Sequence, residues 1–298
     1  MSKRLLFIIN PRSGKGQIKE HLADILDIMI KAGYLVSVHI TQAGGDATKQ
    51  TIEQAKNFDR IVCSGGDGTL DEVVTGMMKL PRQERKPIGY IPAGSTNDFG
   101  NSLGIDKNMV NAAHISVSES LFPCDIGCFN SDSFVYVAAF GIFTEVSYAT
   151  PQDLKNVLGH AAYIIEGAKQ LRDIPSFRMQ VEYEGNVVYD EFIYGMITNS
   201  KSVGGFQGII RGDIGLNDGV FEVTLIKMPR NPIELNEILG FMTGILPDSD
   251  MVYSFQTSEI KLTCSEAVPW TLDGEYGGNH QVVNIIDERS AIEIAIEK

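Results

Sequence analysis

Gly65-Gly66-Asp67-Gly68 stands between the apolar stretch Ile61-Val62-Cys63 and the helix-forming stretch that begins at Leu70. A strand that turns into a helix through glycines brings bare backbone close to whatever lies at the turn. The helix that follows offers N–H groups without intrahelical partners, carrying positive partial charge. That arrangement suits a phosphate. An ordinary strand-to-helix turn would use the same residue types, so the segment alone leaves both readings open.

The surrounding pattern repeats the junction. Residues 5–9 form a short apolar run ended by Asn10-Pro11, which reads as a buried strand. Leu22, Ile25, Leu26 and Met29 share one face of a predicted helix over 17–32, with Gly33 as its terminator. Residues 34–40 read as a second strand, and Asp46 is placed to cap a helix over 47–57. Residues 60–64 give a third strand, 70–80 a helix stopped by Pro81, and 88–91 a fourth strand. Strands alternating with helices predict a parallel, helix-covered sheet. Three loops, 10–16, 65–69 and 92–98, then fall at the carboxyl ends of strands, where open α/β sheets bind ligands. A P-loop is excluded, because Ile9 stands where the first glycine is needed and Gly16 follows Lys15. A dinucleotide fingerprint is excluded as well, because position 71 is Asp rather than Gly.

The pattern changes near residue 125. Strand-like runs follow one another at 178–184, 187–198, 220–226, 252–263, 267–273, 281–286 and 291–296. Glu184-Gly185-Asn186 fits a hairpin turn. Helices are predicted over 154–172 and 232–246, the latter with Asn231 as cap and Pro232 in its first turn. The expectation is an α/β domain over 1–125 and a mainly antiparallel β domain over 126–298, whose last strand is free to return to the first domain.

Charge and cysteine content narrow the function. With 38 acidic and 25 basic residues the net charge is −13. Phosphate attraction dominates general nucleic-acid binding, so nucleic acid is not an expected partner. Lys79, Arg82, Arg85 and Lys86 form a basic stretch, read as a solvated loop or a patch for anionic lipid. Cysteines 63, 124, 128 and 264 have no CxxC spacing and suggest buried free thiols in a reducing, cytoplasmic compartment rather than zinc. The apolar run at 134–143 is too short to span a bilayer and reads as sheet core. Action on a lipid would therefore be from the membrane surface.

Asn10-Pro-x-Ser-Gly-x-Gly16, Gly65-Gly-Asp-Gly-Thr69 with Glu72, and Pro92-x-Gly-Ser-Thr-Asn-Asp98 resemble the bacterial soluble diacylglycerol kinase family of lipid kinases. The resemblance continues through Thr198-Asn199-Ser200 with Gly204-Gly205-Phe206, Leu216-Asn217-Asp218-Gly219 and Leu272-Asp273-Gly274-Glu275. It implies an N-terminal parallel-sheet α/β domain, like that of NAD kinases, and a C-terminal antiparallel β-sandwich-type domain. It implies transfer of the γ-phosphate of ATP, with Mg²⁺, to a lipid hydroxyl, diacylglycerol foremost, at the inner face of the membrane. It also implies a homodimer.

Carried over position by position, the resemblance puts the nucleotide against Asn10, Ser13, Gly14, Lys15, Thr41, Gly65, Gly66, Asp67, Gly68, Thr69, Glu72, Ser95, Asn97 and Asp98. Asp67 would act through magnesium and water, and Asp98 would support the loops. Asp273 matches the general base, with Glu275 beside it. Asp218 matches a second, structural metal position completed by the carbonyls of Gly215 and Val220. Two departures stand out: Ser95 where the family commonly has Thr, and Arg211-Gly212 where it usually has Ala-Pro. A kinase of NAD shares the glycine loop, and a non-catalytic nucleotide- or lipid-binding regulator is the remaining alternative.

Overall fold

The computed structural model describes residues 2–14, 16–94, 97–142, 174–199, 215–242 and 244–297. The helix predicted over 154–172 lies outside them, as do Lys15, Ser95 and Arg211-Gly212. Two compact units are present: Met1–Ile126 together with Arg289–Lys298, and Gly127–Glu288.

In the first unit β1 (Lys3–Ile9), β2 (Tyr34–Ile40), β3 (Arg60–Gly65) and β4 (Ile88–Pro92) are parallel, in the order β4-β3-β1-β2. β3 and β4 are buried along their whole length, as strands covered on both faces must be. That is why they read as unbroken apolar runs. The connecting helices are α1 (Ile18–Lys31), α2 (Asp46–Gln54), α3 (Asp67–Met78), α4 (Asp98–Ser102) and α5 (Met109–Ser116). α1 buries Ile18, Ile25 and Met29 and stops at Gly33, whose φ of 90° is a left-handed terminator. α5 is capped by Asn108, whose side chain accepts the N–H groups of Val110 and Asn111.

Asp46 departs from its predicted role. It is the first residue of α2 rather than its cap, and its carboxylate accepts from Gln42 N (2.9 Å) and pairs with His39 Nε2 (3.0 Å). The bond to His39 holds the Asp46 carboxyl below its ordinary range. α3 also begins earlier than predicted, so Asp67, Gly68 and Thr69 form its first turn.

The second unit is built from sheet. Its strands are β6 (Asp132–Phe134), β7 (Val137–Gly141), β8 (Phe177–Tyr183), β9 (Asn186–Thr198), β10 (Phe221–Lys227), β11 (Val252–Thr257), β12 (Glu259–Leu272) and most of β13 (Glu275–Ala295); β5 (Leu121–Phe129) enters it from the first unit. The pairings among β7 to β12 are antiparallel. β7 and β8 both lie between β9 and β12, β8 on their N-terminal parts and β7 on their C-terminal ones. Glu184 and Gly185 form the β8–β9 turn, both with positive φ, as a tight hairpin requires. A helix, α6 (Pro232–Met242), starts where Asn231 accepts the N–H groups of Ile233 and Glu234. The core packs Phe134, Phe140, Phe192, Phe221 and Trp270, so the apolar run at 134–143 does serve as sheet core over its described residues.

Two sequence boundaries move. The run predicted at 252–263 breaks at Ser258, and the one at 267–273 joins the preceding residues as β12. The runs at 281–286 and 291–296 are one strand, β13, whose last part belongs to the first unit and pairs with β4 through Ile294 and Ile88. The basic stretch is engaged there. Arg82 Nη2 donates to the carbonyls of Arg289 and Ser290, and Arg85 Nη1 to that of Ala291. Cys63, Cys124 and Cys264 are buried free thiols and Cys128 is half-buried. Burial pushes the Cys63 thiol up to about 12.

Candidate functional site

The strand-end loops of the first unit are tied into one another. Asn10 donates its N–H to Ser64 O (2.9 Å) and its Nδ2 hydrogen to Thr69 Oγ1 (3.1 Å), and accepts at Oδ1 from Arg12 N (3.0 Å). Ser13 Oγ accepts from Gly66 N (3.1 Å). Gly65 O accepts from Ala93 N (2.7 Å). These bonds link the loop after β1 to the one after β3, and that one to the loop after β4.

Glycine is needed where the loops meet. A Cβ on Gly94 would lie 2.6 Å from Gly66 Cα and 2.8 Å from Asn97 Oδ1. A Cβ on Gly14 would lie 2.3 Å from the carbonyl oxygen of Ala93. Backbone therefore packs on backbone. Asn97, left-handed at φ 54°, accepts from Gly94 N and donates to Gly94 O, each at 2.9 Å. Tyr90 Oη lies 3.2 Å from both Gly65 O and Asn97 Oδ1. Burial, then the charge of Asp67, drives the Tyr90 hydroxyl upward, so it stays a protonated donor.

α3 begins in this cluster. Asp67 is half-buried at its first position, where a carboxylate complements the helix dipole, and its Oδ1 accepts from Phe99 N near the start of α4 (3.4 Å). Gly68 is exposed, and Thr69 is buried with its side chain where a Cβ on Gly65 would go. Asp98, buried, is the first residue of α4.

Asn10, Thr41, Thr69 and Glu72 line a pocket of about 150 Å³, together with Arg12, Gln42, Ala43 and Gly44. The pocket therefore gathers four of the expected nucleotide residues, while Ser13, Gly66 and Asn97 secure the loops beside it. Sequence reasoning passed over the 42–44 segment and the side chain of Arg12. The signal was present: residues 42–44 follow the carboxyl end of β2, where the strand-end rule points.

The acidic motifs of the second unit have a different character. Asp273 is buried at φ 50°, and its carboxylate accepts from Val135 N, Tyr136 N (2.9 Å) and Val137 N (2.9 Å). Its own N–H donates to Val137 O and its carbonyl accepts from Tyr136 Oη. Glu275, two residues on, is exposed.

Asp218 closes the Gly215–Val220 turn, its Oδ2 accepting from Gly215 N (3.1 Å) and Oδ1 from Val220 N (3.2 Å). The three residues expected at a second metal do meet. Each amide N–H fills one acceptor site of an oxygen that has two. No group of three or more His, Cys, Asp or Glu side chains is arranged for a metal among the described residues.

Glu222, on β10, was not singled out in the sequence. It is 7% exposed, Oε1 accepts from Gln256 Nε2 (3.1 Å), and Oε2 is buried without a hydrogen bond. Burial, with Asp218 nearby, raises its carboxyl to about 7. A raised carboxyl keeps its proton in the fold after the unfolded chain has lost it. Stability is then lost as pH climbs from the unfolded value of 4.5 to about 7, by at most about 3 kcal/mol. Glu222→Gln removes that loss. Melting temperatures measured in EDTA should favour the variant at pH 8 and converge as pH falls towards 4; a constant gap would contradict this origin.

Residues 4–129 match the family model described as the diacylglycerol kinase catalytic domain. The diacylglycerol kinase of Bacillus subtilis (strain 168) is 37% identical over 283 residues, 93% of this chain and 91% of that one. That of Staphylococcus carnosus (strain TM300) is 33% identical over 303 residues, 100% of this chain and 96% of that one. The crystal structure of a diacylglycerol kinase from Bacillus anthracis str. Sterne shares the fold, with a TM-score of 0.77 at 23% identity, covering 99% of this chain and 97% of that one. With interlocked glycine loops at the strand ends and relatives above 30% identity over almost its whole length, the chain belongs to the diacylglycerol kinase family of lipid kinases.

Proposed function

We propose that this chain transfers the γ-phosphoryl group of ATP, bound with Mg²⁺, to the free hydroxyl of diacylglycerol, forming phosphatidic acid. The observation that carries the reading is the junction of three strand-end loops, with the first turn of α3 and a polar pocket beside it. Phosphoryl transfer asks mainly for alignment and charge neutralisation. The positive end of the α3 dipole, with Asn10, Arg12 and Thr69, is suited to the phosphates. Lys15 and Ser95 belong to the same loops by sequence. Thr41 and residues 42–44 form the wall for the rest of the nucleotide.

Asp67 is the carboxylate suited to the hard magnesium ion that neutralises the phosphates. Gly65, Gly66, Gly68, Asn97 and Asp98 shape the backbone around it. Asp273 is the candidate acceptor for the hydroxyl proton, with Glu275 beside it in sequence. In a loose transition state the attacking hydroxyl becomes acidic late, so a base fixed in place matters more than a strong one. Three backbone amides fix Asp273 in that way.

No helix among the described residues is long and apolar enough to cross a membrane. Diacylglycerol would then be taken from the surface of the inner leaflet. The direct test follows labelled γ-phosphate from ATP to a panel of hydroxyl lipids in mixed micelles. The expected product is labelled phosphatidic acid, lost when EDTA is added. Label on NAD with lipids untouched would replace the reading with an NAD kinase. ATP binding without any labelled product would replace it with a non-catalytic regulator.

A further inference from the structure

Glu72 stands among the residues expected to touch nucleotide, yet its carboxylate is turned to the protein. Oε1 accepts from Gly45 N (2.8 Å) and Oε2 from Ala47 N (2.9 Å). The Glu72 carbonyl accepts from Thr48 Oγ1 (2.9 Å). All three donors lie at the start of α2, where the first N–H groups have no partner within the helix. α2 supplies no cap of its own. Its cap position is Gly45, at φ 80°, and the one nearby carboxylate, Asp46, is engaged with Gln42 and His39. Glu72 therefore caps α2 from α3, across 25 to 27 residues of sequence.

One helical turn further along α3, Gly76 reinforces the contact. A Cβ there would lie 2.6 Å from Thr51 Cβ and 2.9 Å from the Thr48 carbonyl, so α2 and α3 touch closely. The 41–45 segment runs between two fastenings. At one end Thr41 N donates to Ile9 O (2.9 Å), and at the other Gly45 N donates to Glu72. Between them lie Gln42, Ala43 and Gly44, which line the pocket.

We infer that Glu72 is a positioning residue: it holds the Thr41–Gly45 wall in place for the nucleotide by capping α2, and does not itself bind the nucleotide. The inference rests on the pocket being the ATP site, as proposed above. Without Glu72 the glycine pair Gly44-Gly45 loses its anchor, and the wall must be ordered at the expense of binding.

The test compares wild type with Glu72→Ala and Glu72→Gln. Amide exchange over 43–50 is measured without nucleotide, and steady-state kinetics with ATP and dATP. Exchange should quicken at least tenfold in Glu72→Ala, and KM for ATP should rise about tenfold with kcat within threefold of wild type. The ATP to dATP preference should stay the same. Glu72→Gln keeps one acceptor and should fall between, which covers the case in which the alanine variant does not fold.

Unchanged exchange with a raised KM, or an altered ATP to dATP preference, would make Glu72 a direct ligand and overturn the inference. Quickened exchange with an unchanged KM would overturn it too, since the wall would then not serve the nucleotide. Failure of wild type to bind ATP at all would instead bring down the pocket assignment, and is seen before any variant is made.

Discussion

Asp273→Asn is expected to cut phosphoryl transfer by about a hundredfold or more and to lower the melting temperature by about 3–10 °C. The backbone is not the cause, because asparagine accepts the left-handed conformation that Asp273 adopts at φ 50°. The side chain is the cause. Three N–H donors point at two carboxylate oxygens, and asparagine replaces one of those oxygens with a donor. A buried donor then faces another donor, which costs about 1–3 kcal/mol. Calorimetry and turnover per folded molecule separate the two effects. If the melting point falls while the folded fraction still turns over normally, Asp273 only shapes the 135–137 turn. In that case Glu275→Gln, which changes an exposed side chain, should be the variant that loses activity.

Gly94→Ala carries the second large effect. The added methyl meets Gly66 Cα at 2.6 Å, and a backbone atom cannot rotate aside. The loops after β3 and β4 must separate, which strains the Ala93 N–Gly65 O bond between them, and the methyl's 2.8 Å approach to Asn97 Oδ1 disturbs the paired bonds between Gly94 and Asn97. Overpacking of this kind costs about 1–3 kcal/mol, and the disturbed hydrogen bonds add to it. ATP affinity should fall more than tenfold, by calorimetric titration. Gly44→Ala is the stability control, since nothing lies within 4 Å of its new methyl. Equal melting points for the two variants would show that the contact between loops does not set the stability of the first unit.

Much of the first unit can be read from sequence because β3, β4 and most of β1 are buried. Such strands leave continuous apolar runs, and each glycine loop marks a strand end. The β8–β9 hairpin is legible for a similarly local reason, since Glu184-Gly185 adopts a turn with few alternatives. What escaped depends on partners far away in the chain. Asp46 has the composition of a helix cap, yet His39 and Gln42 claim it, and the cap comes from Glu72 instead. β12 and β13 look like four strands because polar residues interrupt the apolar pattern, while their backbone pairing continues past irregularities near Thr263 and Pro269. Asp273 reads as a turn residue or a base. Its three amide donors come from residues more than 130 positions earlier, which no local pattern announces.

The return of β13 to the first unit has a consequence for biosynthesis. A ribosome delivers β1 to β4 early, but the strand that lies beside β4 starts its stretch in this unit at Arg289. About 200 residues separate that point from the end of β4, or roughly 10–40 s of translation at typical bacterial and eukaryotic speeds. Through that interval β4 is an open edge on a nascent chain, with Arg82 and Arg85 lacking the carbonyls they later bind. The first unit is thus encoded first and finished last, so a message truncated in its final codons would release a product whose earliest-made sheet is the part left incomplete.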